Sequence, residues 1–145
     1  MNECEKSDEV DIERARKIIE SSDKELITAM LVSSGVRTSK NGFEYLKIAV
    51  QLYKAYDGAM EEISKVIAAM YSTNCAAIEK DMRKALREAS ARDIAGNFNG
   101  KIGSRVFRGG NTRITPKEYV ATLSECMNVP NVHKLFCTKK QREQD

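Results

Sequence analysis

Apolar side chains recur every three or four residues along most of this chain, which is the spacing of the buried face of an α-helix. Gly35, the pair Asp57-Gly58 and the polar segment 71–74 interrupt the pattern, and residues of these types commonly end helices. The pattern predicts an all-α fold, a compact bundle of about six helices. The predicted helices cover residues 12–20, 23–34, 42–56, 63–70, 75–92 and 116–127, with a short one around 102–107.

Capping signals agree with these helix positions. Ser22 and Asp23 are N-cap candidates, and Thr115-Pro116-Lys117-Glu118 combines a capping box with proline at the first helical position. The chain therefore divides into an acidic segment 1–22 that is partly disordered or a short helix, a helical domain 23–136 and a polar tail 137–145. Two roles stay open for the helix 12–20: it packs on the core, or it serves as an arm of a dimer.

The segment 63–89 carries the most informative pattern, because two amphipathic helices are joined there by a tight polar turn. Thr73 and Asn74 are good N-cap residues for the second helix. This is the build of a helix-turn-helix, whose second helix can lie in the DNA major groove. An ordinary helix pair with a solvated basic face is the alternative. The second helix is predicted to bury Ile78, Met82, Ala85, Leu86 and Ala89 and to show Ala76, Glu79, Lys80, Arg83, Lys84 and Arg87 on its other face.

Charge is segregated along the 145 residues, although the net charge is only +3. The first 25 residues are acidic, whereas the balance turns basic from Lys80 to Arg113. A local basic surface attracts phosphates even on a nearly neutral molecule. We therefore expect phosphate contacts from Arg105, Arg108 and Arg113 to flank those of the second helix; simple solvation of these arginines is the alternative.

Several functional classes are disfavoured by the composition. No apolar run has the length of a membrane span and the N-terminus lacks a signal-peptide pattern, so a cytoplasmic protein is expected. The four cysteines are widely separated and predict reduced thiols with no metal site. One histidine, His133, and the lack of any phosphate-binding or nucleophile motif make an enzyme the least supported class, and no cofactor is expected.

Three blocks of sequence carry a family resemblance. They are residues 31–36 followed by 42–50 (GFEYLKIAV), residues 66–71 followed by 78–85 (IEKDMRKA), and residues 115–121 (TPKEYVA). In this order and spacing the chain resembles the DNA-binding effector domain of the master sporulation response regulator of endospore-forming bacteria, from about Leu26 to Met127. The resemblance implies an all-α transcription factor that binds double-stranded operator DNA through the major groove. It also implies homodimer contacts between adjacent copies through the helix from Pro116 to Met127, although the sequence alone predicts that most apolar positions of this helix pack in the core.

The resemblance assigns roles on the second helix residue by residue. Glu79 matches a glutamate that contacts bases, Lys80 matches a phosphate-binding arginine, and Arg83 and Lys84 match residues beside the groove. Ala76 and Ala77 stand where the family has a serine and a base-reading arginine, which predicts a different operator or weaker binding. The full set of predicted DNA contacts is Thr73, Asn74, Ala76, Ala77, Glu79, Lys80, Arg83, Lys84 and Arg87.

Two functions follow from these features. The first is a sequence-specific DNA-binding transcriptional regulator that acts without phosphorylation control, because the roughly 25 residues before the matched region are too few for a receiver domain. The second is a protein-interaction module that antagonises a related full-length regulator and binds DNA weakly or not at all. Salt-dependent DNA binding discriminates between them.

Overall fold

The computed structural model describes residues 11–38, 41–90 and 114–136. All regular secondary structure in these ranges is helical, so the all-α prediction is confirmed. None of the described helices is long and apolar enough to cross a bilayer. The helices are α1 (Ile12–Ser21), α2 (Lys24–Ser33), α3 (Asn41–Tyr53), α4 (Met60–Met70), α5 (Cys75–Ser90) and α6 (Pro116–Cys126), followed by a helical turn over residues 132–136.

The predicted helix starts agree with the observed caps. The Asp23 carboxylate accepts a hydrogen bond from the Leu26 amide at 3.2 Å, and the Thr115 hydroxyl accepts one from the Glu118 amide at 3.1 Å. Each bond satisfies an amide that has no partner within its helix. Of the two N-cap candidates before α2, Asp23 is therefore the cap, whereas Ser22 ends α1.

Two left-handed turns end helices where the sequence predicted breaks. α3 ends at Tyr53, three residues earlier than predicted, because residues 54–58 form turns in which the Gly58 amide donates to the Tyr53 carbonyl at 2.9 Å. Asp57 and Gly58 have φ values of 53° and 73°, and Gly35 after α2 has φ of 97°. Glycine adopts these values without the steric penalty of a Cβ, so the chain reverses direction there.

The third helix is the centre of the bundle, since α3 contacts each of the other five helices. Its side chains are buried around most of its circumference, including Phe43, Leu46 and Ala49. α1 packs on α3 and α4 and inserts the fully buried Ala15 into the core. Of the two roles left open for the first helix, packing on the core is the one observed.

The last helix is joined to the core by a buried polar contact. Tyr119 of α6 is fully buried, and its hydroxyl forms a short hydrogen bond of 2.5 Å with the Ser34 hydroxyl at the end of α2. A buried hydroxyl without a partner is costly, so this bond restricts how α6 can dock. On the surface, the lone His133 forms a hydrogen bond with Asp23, the residue that caps α2.

Stability should fall at alkaline pH because buried groups resist ionisation. Burial raises the pKa of the Cys126 thiol from its ordinary 9.0 to about 11, with Glu125 adding to the effect, and burial also raises the pKa of Tyr119 above 10.0. An unfolded chain releases these protons at lower pH than the folded one, so the free energy of unfolding decreases as pH rises above about 9.

Urea denaturation at neutral pH, near pH 9 and near pH 10.5 measures this effect. The Tyr119→Phe/Cys126→Ala variant lacks both groups and should show a flatter pH dependence, although its stability at neutral pH is lower. A free energy of unfolding of the unmodified chain that stays constant over this range would contradict the assignment.

Candidate nucleic-acid interface

A tight turn orients α5 relative to α4. The Thr73 amide donates to the Ala68 carbonyl at 2.9 Å, and Ser72 adopts a left-handed φ of 55°. The Asn74 side chain accepts a hydrogen bond from the Ala77 amide at 2.8 Å. Of the two predicted N-cap residues, Asn74 therefore caps α5 through its side chain. Together these bonds determine where α5 begins and in which direction it leaves the turn.

The fifth helix has one buried face and one exposed face. Its inner residues all lie in the core, as the helical spacing predicted: Ile78, Met82, Ala85, Leu86 and Ala89. Its outer face places Lys80, Arg83, Lys84 and Arg87 in an exposed row, with Glu79 partly buried beside them. We call this row the basic face of α5. It presents four positive charges to solvent, and such a surface attracts a polyanion.

The acidic residue beside the basic face, Glu79, is already paired. The Glu79 carboxylate lies 3.4 Å from the Arg83 guanidinium one turn later, and the two side chains are 42% and 61% exposed. An exposed pair at this spacing contributes only about 0.3–0.5 kcal/mol. Both side chains can therefore leave this ion pair and bind new partners at little cost in free energy.

The backbones of α5 and α3 approach each other closely at the centre of the bundle. Gly42, in the first turn of α3, lies so near α5 that a Cβ atom placed there would overlap the Asp81 carbonyl oxygen and stand 2.6 Å from the Ala85 Cβ. Only glycine allows the two helices to meet at this distance. The sequence pattern did not single out Gly42. A glycine near the start of an otherwise apolar helix was the available signal.

A cleft of about 230 Å³ separates α5 from the start of α6. Glu79 and Arg83 line one side, Thr115 and Lys117 line the other, and Ser64 of α4 also contributes to its lining. The sequence pattern did not predict that these residues lie close together, because three separate helices supply them.

The family comparison identifies what kind of domain carries this helix pair. The family model described as sporulation initiation factor Spo0A C terminal matches residues 27–127. The chain belongs to this family. The Spo0A C-terminal domain is a DNA-binding effector domain of a sporulation regulator. A search of curated proteins found no match.

The match to the Spo0A C-terminal family runs from α2 to the end of α6 and therefore includes the turn and the basic face. Thr73, Asn74 and Ala76 are exposed at the start of α5, and Ala77 is partly exposed. The two alanines offer only methyl groups where the family resemblance leads us to expect polar side chains. The predicted flanking contacts Arg105, Arg108 and Arg113, together with the predicted helix around 102–107, lie outside the described residues.

Proposed function

We propose that this chain is a sequence-specific DNA-binding transcriptional regulator in which α4 and α5 act as a helix-turn-helix. The observation that carries the proposal is the basic face of α5, exposed on a helix whose opposite face is buried. An α-helix is about 10–12 Å across with its side chains, and the major groove is about 12 Å wide. The basic face would then meet base edges and phosphates, with membership of the Spo0A C-terminal family as independent support.

We assign the contacts as follows. The Glu79 carboxylate accepts a hydrogen bond from a cytosine amino group. Ala76 and Ala77 contact bases through their methyl groups, for which a thymine methyl is the natural partner. The remaining contacts go to phosphates or the edge of the groove, from Thr73, Asn74, Lys80, Arg83, Lys84 and Arg87, with Arg105, Arg108 and Arg113 flanking them.

Regulation by phosphorylation is not part of this proposal. Among the described residues the basic face is exposed, and we propose a regulator that binds DNA without a phosphorylation step. The occupancy of an operator then follows the concentration of the protein. Access to the chromosome places this function in the cytoplasm.

Adjacent copies would meet through the outer face of α6. The apolar residues Tyr119, Val120 and Leu123 are buried inside their own chain and are not available to a partner. Glu118 and Glu125 lie exposed on the outer face of α6. We propose that homodimer contacts through the helix from Pro116 to Met127 use this polar face and form on DNA, where neighbouring half-sites bring two copies together.

Selection from a pool of random duplexes tests the function. We expect enrichment of a defined half-site, whose repeat spacing reports how copies are arranged. Affinity for the enriched duplex should fall steeply as salt rises, because the protein displaces condensed counterions. A pool that yields no enriched sequence, together with negligible affinity at low salt, would contradict the proposal.

Replacing Glu79 by alanine should relax the preference at one base pair. A hydrogen bond to a base edge contributes about 1–3 kcal/mol of discrimination, so we expect roughly a tenfold loss of preference at a single position. Quantitative sequencing of bound duplexes measures the profile. Glu88→Ala, on the same helix but away from its start, is the matched control and should leave every position unchanged. Identical profiles for the Glu79 variant and the unmodified chain would remove Glu79 from base recognition.

The second candidate function is an interaction module that antagonises a related full-length regulator. Ala76 and Ala77 favour it, since they supply no polar contact at the end of α5 that would enter the groove first. This candidate predicts a stable protein complex with the relative and little affinity for DNA at any salt concentration.

A further inference from the structure

We propose that the cleft between α5 and α6 binds a phosphate of the DNA backbone, with Lys117 as an additional phosphate contact. This inference rests on the proposed DNA-binding function and extends the interface to a second helix. Arg83 and Lys117 supply cations from opposite sides of the cleft, and both side chains are exposed.

The position of the cleft follows from the size of the groove. A helix that occupies the major groove fills most of its width, so residues on its flanks face the phosphate walls. Residues on a neighbouring element that touch this flank are then adjacent to one wall. The cleft lies on that flank, because Glu79 and Arg83 line it and belong to the outer side of α5.

The start of α6 is suited to an anion. The first turn of a helix has backbone amides without helical acceptors and carries a partial positive charge. Thr115 caps α6 by accepting from the Glu118 amide, and Lys117 adds a full charge in the same turn. Pro116 has no amide hydrogen and the Glu118 amide is used by the cap, so Lys117 supplies both the remaining first-turn amide and a cation for a phosphate.

A buried donor at the cleft provides independent support. Ser64 is 1% exposed, and its Oγ is the buried side-chain polar atom for which the described part of the chain supplies no hydrogen-bond partner. Ser64 contributes to the lining of the cleft, and leaving such an atom without a partner is costly. A rotation of the Ser64 side chain toward the cleft would let its hydroxyl donate to a phosphate oxygen there, which would relieve this cost.

Base recognition and phosphate binding would be coupled through Arg83. Its guanidinium is paired with Glu79, and both residues line the cleft. When the Glu79 carboxylate turns to a cytosine, it leaves the cleft and releases Arg83. A negative charge is thereby removed from the cleft and a positive charge becomes available for the phosphate.

The test compares two lysines in equivalent positions. Lys117 and Lys24 are both exposed in the first turn of a helix, but Lys24 lies on α2, which contacts α3 and not the cleft. For Lys117→Gln we expect DNA affinity to fall roughly fivefold at low salt and the salt slope to decrease by about one, with the sequence preference unchanged. Lys24→Gln should change neither quantity.

Two further measurements locate the phosphate. Neutral methylphosphonate substitutions, scanned along the selected duplex, should weaken binding of the unmodified chain at one flanking position but not weaken binding of Lys117→Gln there. Ser64→Ala removes the donor, so we expect DNA affinity to fall about threefold while the melting temperature does not decrease. A purely structural role for Ser64 would change the melting temperature and leave affinity unaltered.

The outcomes separate this inference from the function on which it rests. If the unmodified chain shows no salt-dependent DNA affinity, the proposed function itself fails. If it binds DNA and Lys117→Gln keeps the same affinity and salt slope, only the cleft assignment is overturned. The same holds if inorganic phosphate perturbs the NMR signals of the cleft but the salt slopes of both proteins on DNA remain equal.

Discussion

Replacing Lys80 and Arg83 together by alanine is expected to lower the affinity for duplex DNA roughly fiftyfold at low salt. Both side chains are exposed on the basic face of α5, and neither contributes to the core. Each phosphate contact that is lost also reduces the salt slope by about one, so the slope should decrease by about two. Binding should weaken alike on the selected half-site and on unrelated sequences, because phosphates carry no base information.

A matched double variant separates the effect of local contacts on DNA affinity from the effect of net charge. Lys24 and Lys134 are also exposed, but they lie at the start of α2 and in the last helical turn. Lys24→Ala/Lys134→Ala removes the same charge and should reduce affinity far less, since charges beyond a Debye length are screened. Fluorescence anisotropy with a labelled duplex measures both variants. Unchanged affinity of Lys80→Ala/Arg83→Ala, or equal losses for the two double variants, would show that DNA does not contact the basic face.

The same substitutions should leave the fold intact. The surface pair of Arg83 and Glu79 contributes little, so we expect the free energy of unfolding to change by no more than about 0.5 kcal/mol. A loss of binding would then show that contacts with DNA were removed and not that the domain had unfolded.

Replacing Gly42 by alanine is expected to destabilise the domain by about 3 kcal/mol and to lower the melting temperature by roughly 10 °C. The added Cβ would overlap the Asp81 carbonyl oxygen and the Ala85 side chain. Backbone cannot rotate aside as the end of a flexible side chain can, so α5 must move away from α3. DNA affinity should fall as well, because the displaced helix is the one that carries the basic face.

Thermal denaturation monitored by circular dichroism checks this expectation. Glu44→Ala is the control, since Glu44 is exposed two residues later in the same helix. It should change the melting temperature little. A melting temperature of Gly42→Ala equal to that of the unmodified chain would contradict the close approach of α3 and α5.

Local signals in the sequence were sufficient for most of the fold. The apolar spacing over 75–89 predicted which residues of α5 are buried, because a regular helix repeats its faces without help from other segments. Asp23 and Thr115 were recognisable as caps because the partners of their side chains lie three residues away. Gly35 and Asp57-Gly58 marked turns for an equally local reason.

Contacts between distant segments were not predictable in the same way. Ser34 and Tyr119 are 85 residues apart, and His133 and Asp23 are 110 apart, so neither pair has a signature in the local spacing. The cleft brings together Ser64 of α4, Arg83 of α5 and Lys117 of α6. In the sequence, Gly42 has the features of an ordinary helix start. Only the structure shows that α5 packs directly against it.

The sequence by itself determined the helices, their buried and exposed faces, and the row of cations on α5, because each depends on the short repeat of a single helix. Family membership rests on the sequence as well. Only the tertiary structure decided that α1 packs on the core and that a second cation lies across a cleft from Arg83. The physical reason is that docking depends on shape, burial and hydrogen-bond partners supplied by several helices at once, and no local pattern encodes them.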